Sequence, residues 1–117
     1  MMADERILQE IYAVIQQRKS ASPDESYVAL LLSRGLDKIL AKIGEEATET
    51  AIAGKGGGRA EMVHEVADLF FHVLVLLGYY DISPDEIWAE LRRRFGTSGL
   101  EEKRSRAAEK NSERKTS

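Results

Sequence analysis

Three features of the chain predict an all-α fold. Apolar residues recur at helical spacing from Ile7 to Phe95. Only two prolines, Pro23 and Pro84, interrupt 117 residues, and apart from one glycine cluster long stretches carry no breaker. No segment alternates apolar and polar residues as a half-buried strand does, and there is no internal repeat or heptad array. With 13.1 kDa of chain and 43% apolar residues, a single domain with its own core is expected.

The first helix is expected from about Asp4 to Lys19. Ile7, Leu8, Ile11, Val14 and Ile15 form its apolar face, Asp4 is its N-cap, and Arg18 and Lys19 suit the negative C-terminal end. A turn around Pro23 occupies Ser20 to Asp24. A short apolar stretch, Tyr27 to Leu32, leads through Gly35 into a second helix, Leu36 to Ala53. The run Gly54-Lys55-Gly56-Gly57-Gly58 is expected to end that helix and form a flexible loop. It lacks the order of a phosphate-binding P-loop and a strand before it, although Lys55 remains within reach of a phosphate.

A third helix runs from about Arg59 to Tyr79. Ser83-Pro84-Asp85-Glu86 opens a fourth with a capping-box pattern, its stripe is Ile87, Leu91 and Phe95, and Gly96 stops it. Arg92, Arg93 and Arg94 suit the dipole at its end, and Trp88 reads as packing or interface. Residues 1–106 are expected to form one all-α domain. Residues 107–117 are expected to be a polar, disordered tail. From Glu101 on the chain holds six basic and four acidic residues and no large apolar one.

The third helix is apolar nearly all round, at Val66, Leu69, Phe70, Phe71, Val73, Leu74, Val75, Leu76 and Leu77. Such a helix is a buried one. A four-helix chain of this length has little protein with which to surround it, so a bundle completed by a second copy is expected. The alternative is that the first and fourth helices cover it alone.

Composition excludes several functions. The balance of 17 basic and 20 acidic residues, net −3, argues against a general nucleic-acid binder. Cysteine is absent, so disulfides, thiol catalysis and zinc-thiolate sites are excluded. The acidic start MMADERILQE is no signal peptide, and no apolar run approaches a membrane span. A soluble cytoplasmic protein is expected.

Seven acids lie between Asp37 and Asp68. At about 100° per residue, Glu45, Glu46 and Glu49 span about 100° of the second helix, with Lys42 in the same arc. On the third helix Glu61, Glu65, Asp68 and His72 fall within about 60° of one another. Like charges at one-turn spacing repel, and buried carboxylates need a partner or a cation. Two acidic faces on consecutive helices satisfy that need by sharing a divalent metal. Hard oxygen ligands without cysteine favour Mg²⁺ or Mn²⁺, and Mg²⁺ commonly also takes phosphate oxygens. Metal-assisted attack on a phosphoanhydride is the chemistry such a site suits. The plainer readings are a solvated E-E-x-x-E face, and an ion network of Glu65 and Asp68 with Arg34, Lys38 or Lys42. His72 is either a hydrogen-bonded core histidine or a ligand. His64 lies off the stripe and reads as a surface residue.

The stretch SYVALLLSRGLDKILAKIGEEATETAIAGK, Ser26 to Lys55, resembles the signature of phosphoribosyl-ATP pyrophosphohydrolase. So do EVADLFFHVLVLL, Glu65 to Leu77, and the closing RRRFGTSGLEEKRSR, Arg92 to Arg106. The E-E-x-x-E and E-x-x-D pair is shared with the wider all-α nucleotide pyrophosphohydrolases, MazG-like and dimeric dUTPase-like enzymes among them. The S-Y-x-x-x-L-L-x-x-G-x-D-K-I-L run points to the phosphoribosyl-ATP branch. The resemblance implies a MazG-like four-helix bundle, a homodimer or dimer of dimers, acting on a nucleotide in the second step of histidine biosynthesis. Phosphoribosyl-ATP would be hydrolysed to phosphoribosyl-AMP and pyrophosphate. It implies Glu45, Glu46, Glu49, Glu65 and Asp68 as Mg²⁺ ligands, with one of Glu45, Glu46 and Glu49 free to activate water. Lys38, Lys42, Lys55 and His72 are the expected substrate contacts. Phe71 stands where the family often has Tyr, and the glycine run at 56–58 is unusual. The competing functions are a housekeeping pyrophosphohydrolase of non-standard nucleoside triphosphates and a helical interaction module.

Overall fold

A computed structural model of the chain describes residues 6–95, 103–104 and 106–110. Its helices are α1 (Ile7–Arg18), α2 (Tyr27–Arg34), α3 (Leu36–Gly56), α4 (Arg59–Tyr79) and α5 (Pro84–Phe95), and no strand occurs among the described residues. No helix among them is long and apolar enough to cross a membrane. The chain divides into two compact units, Met1–Pro84 and Asp85–Ser117.

In the first unit Ile15, Val28, Leu31, Ile39, Leu74 and Val75 form the core, flanked by Leu8, Ile11, Leu32, Ile43, Phe71, Leu76 and Leu77. Full burial of one such side chain stabilises by about 1.5–3 kcal/mol. The most extensive pairing is the hairpin of α3 and α4, and α1 packs on α4. Gly78 permits the second contact, because a Cβ there would lie 2.6 Å from Ile15 Cγ2.

The apolar stretch at Tyr27 is a helix in its own right. Ser26 caps it by accepting the Ala29 N–H at 3.3 Å. Gly35 separates α2 from α3 with φ 93° and ψ 178°, a region essentially confined to glycine. Helix α3 outruns its expected end at Ala53. It continues through Gly54, Lys55 and Gly56, and the Gly57 N–H still bonds the Ala53 carbonyl at 2.8 Å. Glycine weakens a helix by about 1 kcal/mol but keeps its N–H, so it does not break the ladder as proline does. The loop shrinks to Gly57 and Gly58.

Helix α4 has the expected bounds and closes in a Schellman motif. Ile82 N–H reaches the Leu77 carbonyl at 2.9 Å and Asp81 N–H the Gly78 carbonyl at 3.2 Å. Asp81 holds the left-handed position at φ 57°, and its carboxylate pairs with Lys19 at the end of α1. The Asp4 cap and the Gly96 stop lie outside the described residues.

In the second unit α5 binds its own end together. Glu90 accepts from Arg93 at 2.7 Å and from Arg94 at 2.9 Å. Those two guanidinium groups hold the Glu90 carboxyl down at about 2. Its stripe, Ile87, Leu91 and Phe95, is exposed. Residues 103–104 and 106–110 are helical and exposed.

Candidate metal and active site

Helix α3 carries Glu46 and Glu49 three residues apart, on nearly one face, and α4 returns antiparallel to bring Glu65 opposite them. One oxygen from each of the three lies within 4.8 Å of the others. Glu46 is 6% exposed. Its Oε2 and the Oε2 of Glu65 are both buried with no hydrogen-bond partner. A buried carboxylate oxygen left unpaired is costly, and two such carboxylates gathered beside a third are costlier still.

The electrostatics follow. Partial burial pushes the Glu65 carboxyl above the ordinary carboxylate value, and Glu49 adds to this through a hydrogen bond and its charge. Glu46 repels in the same sense. Lys42 is the cation beside the group, 3.1 Å from Glu45 Oε2 and 3.9 Å from Glu46 Oε1. The Glu45 hydrogen bond chiefly holds its ammonium above its usual range. One ammonium shared with Glu45 does not neutralise three converging carboxylates. A divalent cation does, and oxygen-only donors suit Mg²⁺ or Mn²⁺. The residues present therefore fit such an ion.

The other expected site residues fall elsewhere. Glu45 stands outside the trio, exposed and paired with Lys42. Asp68 is held by His64, Nε2 to Oδ2 at 3.3 Å, in an exposed i,i+4 pair. His64, read as a surface residue, is exposed and makes this one specific contact. Lys38 and Lys55 are exposed at opposite ends of α3. At 1.5 Å per residue they lie about 12 Å before Glu46 and about 9 Å beyond Glu49 along the axis.

His72 is 4% exposed, and both its ring nitrogens are engaged. Nδ1 lies 2.7 Å from the Asp68 carbonyl oxygen, which only accepts, so Nδ1 carries the proton. In the neutral ring Nε2 then accepts from the Tyr27 hydroxyl at 3.1 Å. Tyr27 also stacks on Phe71, centroids 6.1 Å apart. Phe71 has no hydroxyl of its own, and Tyr27 from α2 supplies the one His72 binds.

Two residues escaped the sequence reading. Tyr27 is one. Thr50 is the other: its hydroxyl donates to the Glu46 carbonyl at 2.7 Å and lies 3.3 Å from the Glu65 carbonyl. The first contact was legible from the four-residue spacing. The second needed the hairpin.

Comparison with known proteins identifies what the chain is similar to. The family model described as phosphoribosyl-ATP pyrophosphohydrolase matches residues 8–95. A Geobacter metallireducens protein named phosphoribosyl-ATP pyrophosphatase is 70% identical over 103 residues, covering 88% of this chain and 94% of its own. Proteins of the same name from Geotalea daltonii and Geobacter sulfurreducens are each 64% identical over 100 residues. Each of those matches covers 86% of this chain, with 94% of the former and 93% of the latter.

Proposed function

The chain belongs to the phosphoribosyl-ATP pyrophosphohydrolase family and is a hydrolase, and on that premise we propose that it cleaves phosphoribosyl-ATP to phosphoribosyl-AMP and pyrophosphate in histidine biosynthesis, with a divalent cation at the α3–α4 carboxylates. The observation that supports the metal is the convergence of one oxygen each from Glu46, Glu49 and Glu65, two of which also carry a buried, unpartnered Oε2. Bound there, Mg²⁺ or Mn²⁺ supplies charge neutralisation on phosphoanhydride oxygens and acidifies a coordinated water.

The chain's own groups have separate tasks. Glu46 and Glu65 are the fixed ligands, set on two packed helices. Glu49, the exposed member of the trio, is the one that solvent reaches directly, and we assign it the proton leaving the attacking water. Lys42 places positive charge beside the trio, where a triphosphate gathers negative charge. Glu45 orients Lys42. Asp68 joins as a ligand on this reading, because an exposed pair with His64 holds it only weakly. Lys38 and Lys55 are contacts for outlying phosphates, and His72 acts by holding Tyr27.

A second copy covers the apolar face that α4 leaves exposed. Met62, Val63, Phe70 and Val73 fall within about 100° of that helix, and Phe70 is 53% exposed.

The deciding experiment is pyrophosphate release from phosphoribosyl-ATP and from a panel of nucleoside triphosphates, in Mg²⁺ and in EDTA. Mg²⁺-dependent release confined to phosphoribosyl-ATP is the expected result. Faster release from other triphosphates would keep the metal site and move the substrate to non-standard nucleotides.

A further inference from the structure

We propose that Thr50 is a positioning residue that sets the spacing of α3 and α4 at the metal-binding carboxylates, and so decides which divalent cation the site accepts. The inference rests on the metal reading above.

The hydroxyl of Thr50 is shared between two backbone carbonyls, that of Glu46 at 2.7 Å and that of Glu65 at 3.3 Å. A threonine in a helix often bonds back to the carbonyl four residues before it. Thr48 does so, to Gly44 at 3.0 Å. Thr50 differs in reaching a second acceptor on the facing helix. Its two acceptors belong to the two residues whose buried Oε2 atoms have no partner. One side chain thus ties together the backbones that carry two of the three converging carboxylates.

Spacing matters here because of what the ion requires. Mg²⁺ demands near-octahedral oxygens at about 2.0–2.1 Å, so any two ligands lie at most about 4.2 Å apart. The trio's oxygens lie within 4.8 Å of one another. That is close enough for the side chains to close on an ion, with little slack for the helices to part. Ca²⁺ takes oxygens at about 2.3–2.6 Å in flexible geometry and tolerates a wider site. Loosening the tie therefore penalises the smaller ion first.

The test uses the full-length protein, with Mn²⁺ followed by electron paramagnetic resonance and Ca²⁺ by calorimetry. The variants are Thr50→Val, which keeps the shape and removes the donor, and Thr50→Ser, which keeps the donor. Circular dichroism and thermal unfolding are recorded for each. Groups that orient metal ligands typically contribute about 10–100-fold to affinity, and we expect the lower end, about tenfold weaker Mn²⁺ binding in Thr50→Val. Ca²⁺ affinity should change much less, and Thr50→Ser should bind Mn²⁺ like the wild type. Should Thr50→Val fail to fold, Thr50→Ala carries the same comparison. Equal weakening of Mn²⁺ and Ca²⁺, or unchanged Mn²⁺ binding in the variant lacking the hydroxyl, would overturn the proposal and leave the metal site standing. Absence of saturable Mn²⁺ binding in the wild-type protein would overturn the metal reading and this proposal together.

Discussion

Glu65 shows at the scale of one residue how the site trades stability for binding. Its carboxyl is raised, chiefly by desolvation and then by Glu49. A raised carboxyl binds its proton more tightly folded than unfolded. Stability is therefore fullest below the ordinary value of 4.5 and falls as pH rises through the raised folded value. Thermal unfolding in EDTA should show that decline, and Mg²⁺ should reverse it by taking the proton's place. Glu65→Gln should flatten the pH dependence, raise the metal-free unfolding temperature and remove Mg²⁺ stabilisation. A Glu65→Gln protein that is less stable without metal would contradict this account of the repulsion. The trio was partly legible in advance. Helical angles put Glu46, Glu49 and Glu65 on stripes of consecutive helices. They also put Glu45 and Asp68 there, and only the structure shows that Glu45 pairs with Lys42 and Asp68 with His64.

Among the elements, two glycines matter most, Gly78 where α1 meets α4 and Gly35 between α2 and α3. Gly78→Ala pushes a methyl into Ile15, and overpacking of that kind costs about 1–3 kcal/mol. Gly35→Ala forces a side chain into a glycine-only backbone region, at about 1–3 kcal/mol. Both losses should appear in urea unfolding midpoints, with m-values unchanged. A neutral Gly78→Ala would mean that α1 and α4 approach less closely than described. Most boundaries were readable from caps and breakers, and α4 matched at both ends. The misses have local causes. Helix α2 has only eight residues, too few for a clear period, and its start rests on the Ser26 cap. Helix α3 crosses Gly54 and Gly56 because glycine weakens a helix without removing a hydrogen bond.

For the whole molecule, the excess of apolar residues on α4 is the feature that the single chain does not resolve. Val63 and Phe70 stay exposed, and on our proposal a second copy covers them. Phe70→Asp should then convert an oligomer into a monomer by light scattering, and a monomeric wild-type protein would refute the proposal. The all-α class was plain from the sequence, because periodicity and the scarcity of breakers act over the entire chain. Assembly was expected from a surplus of apolar surface, which does not say where a partner would sit, and from the family resemblance, which implies a homodimer or dimer of dimers.

The central claim is that buried carboxylates on α3 and α4 hold the ion that drives hydrolysis, and Glu46→Gln tests it most directly. Its Mg²⁺-dependent pyrophosphate release from phosphoribosyl-ATP should be measured on the preparation whose metal-free unfolding temperature is recorded. The account predicts release lowered by about 100-fold or more, with the unfolding temperature unchanged or raised. Near-wild-type release from a folded Glu46→Gln protein would contradict it.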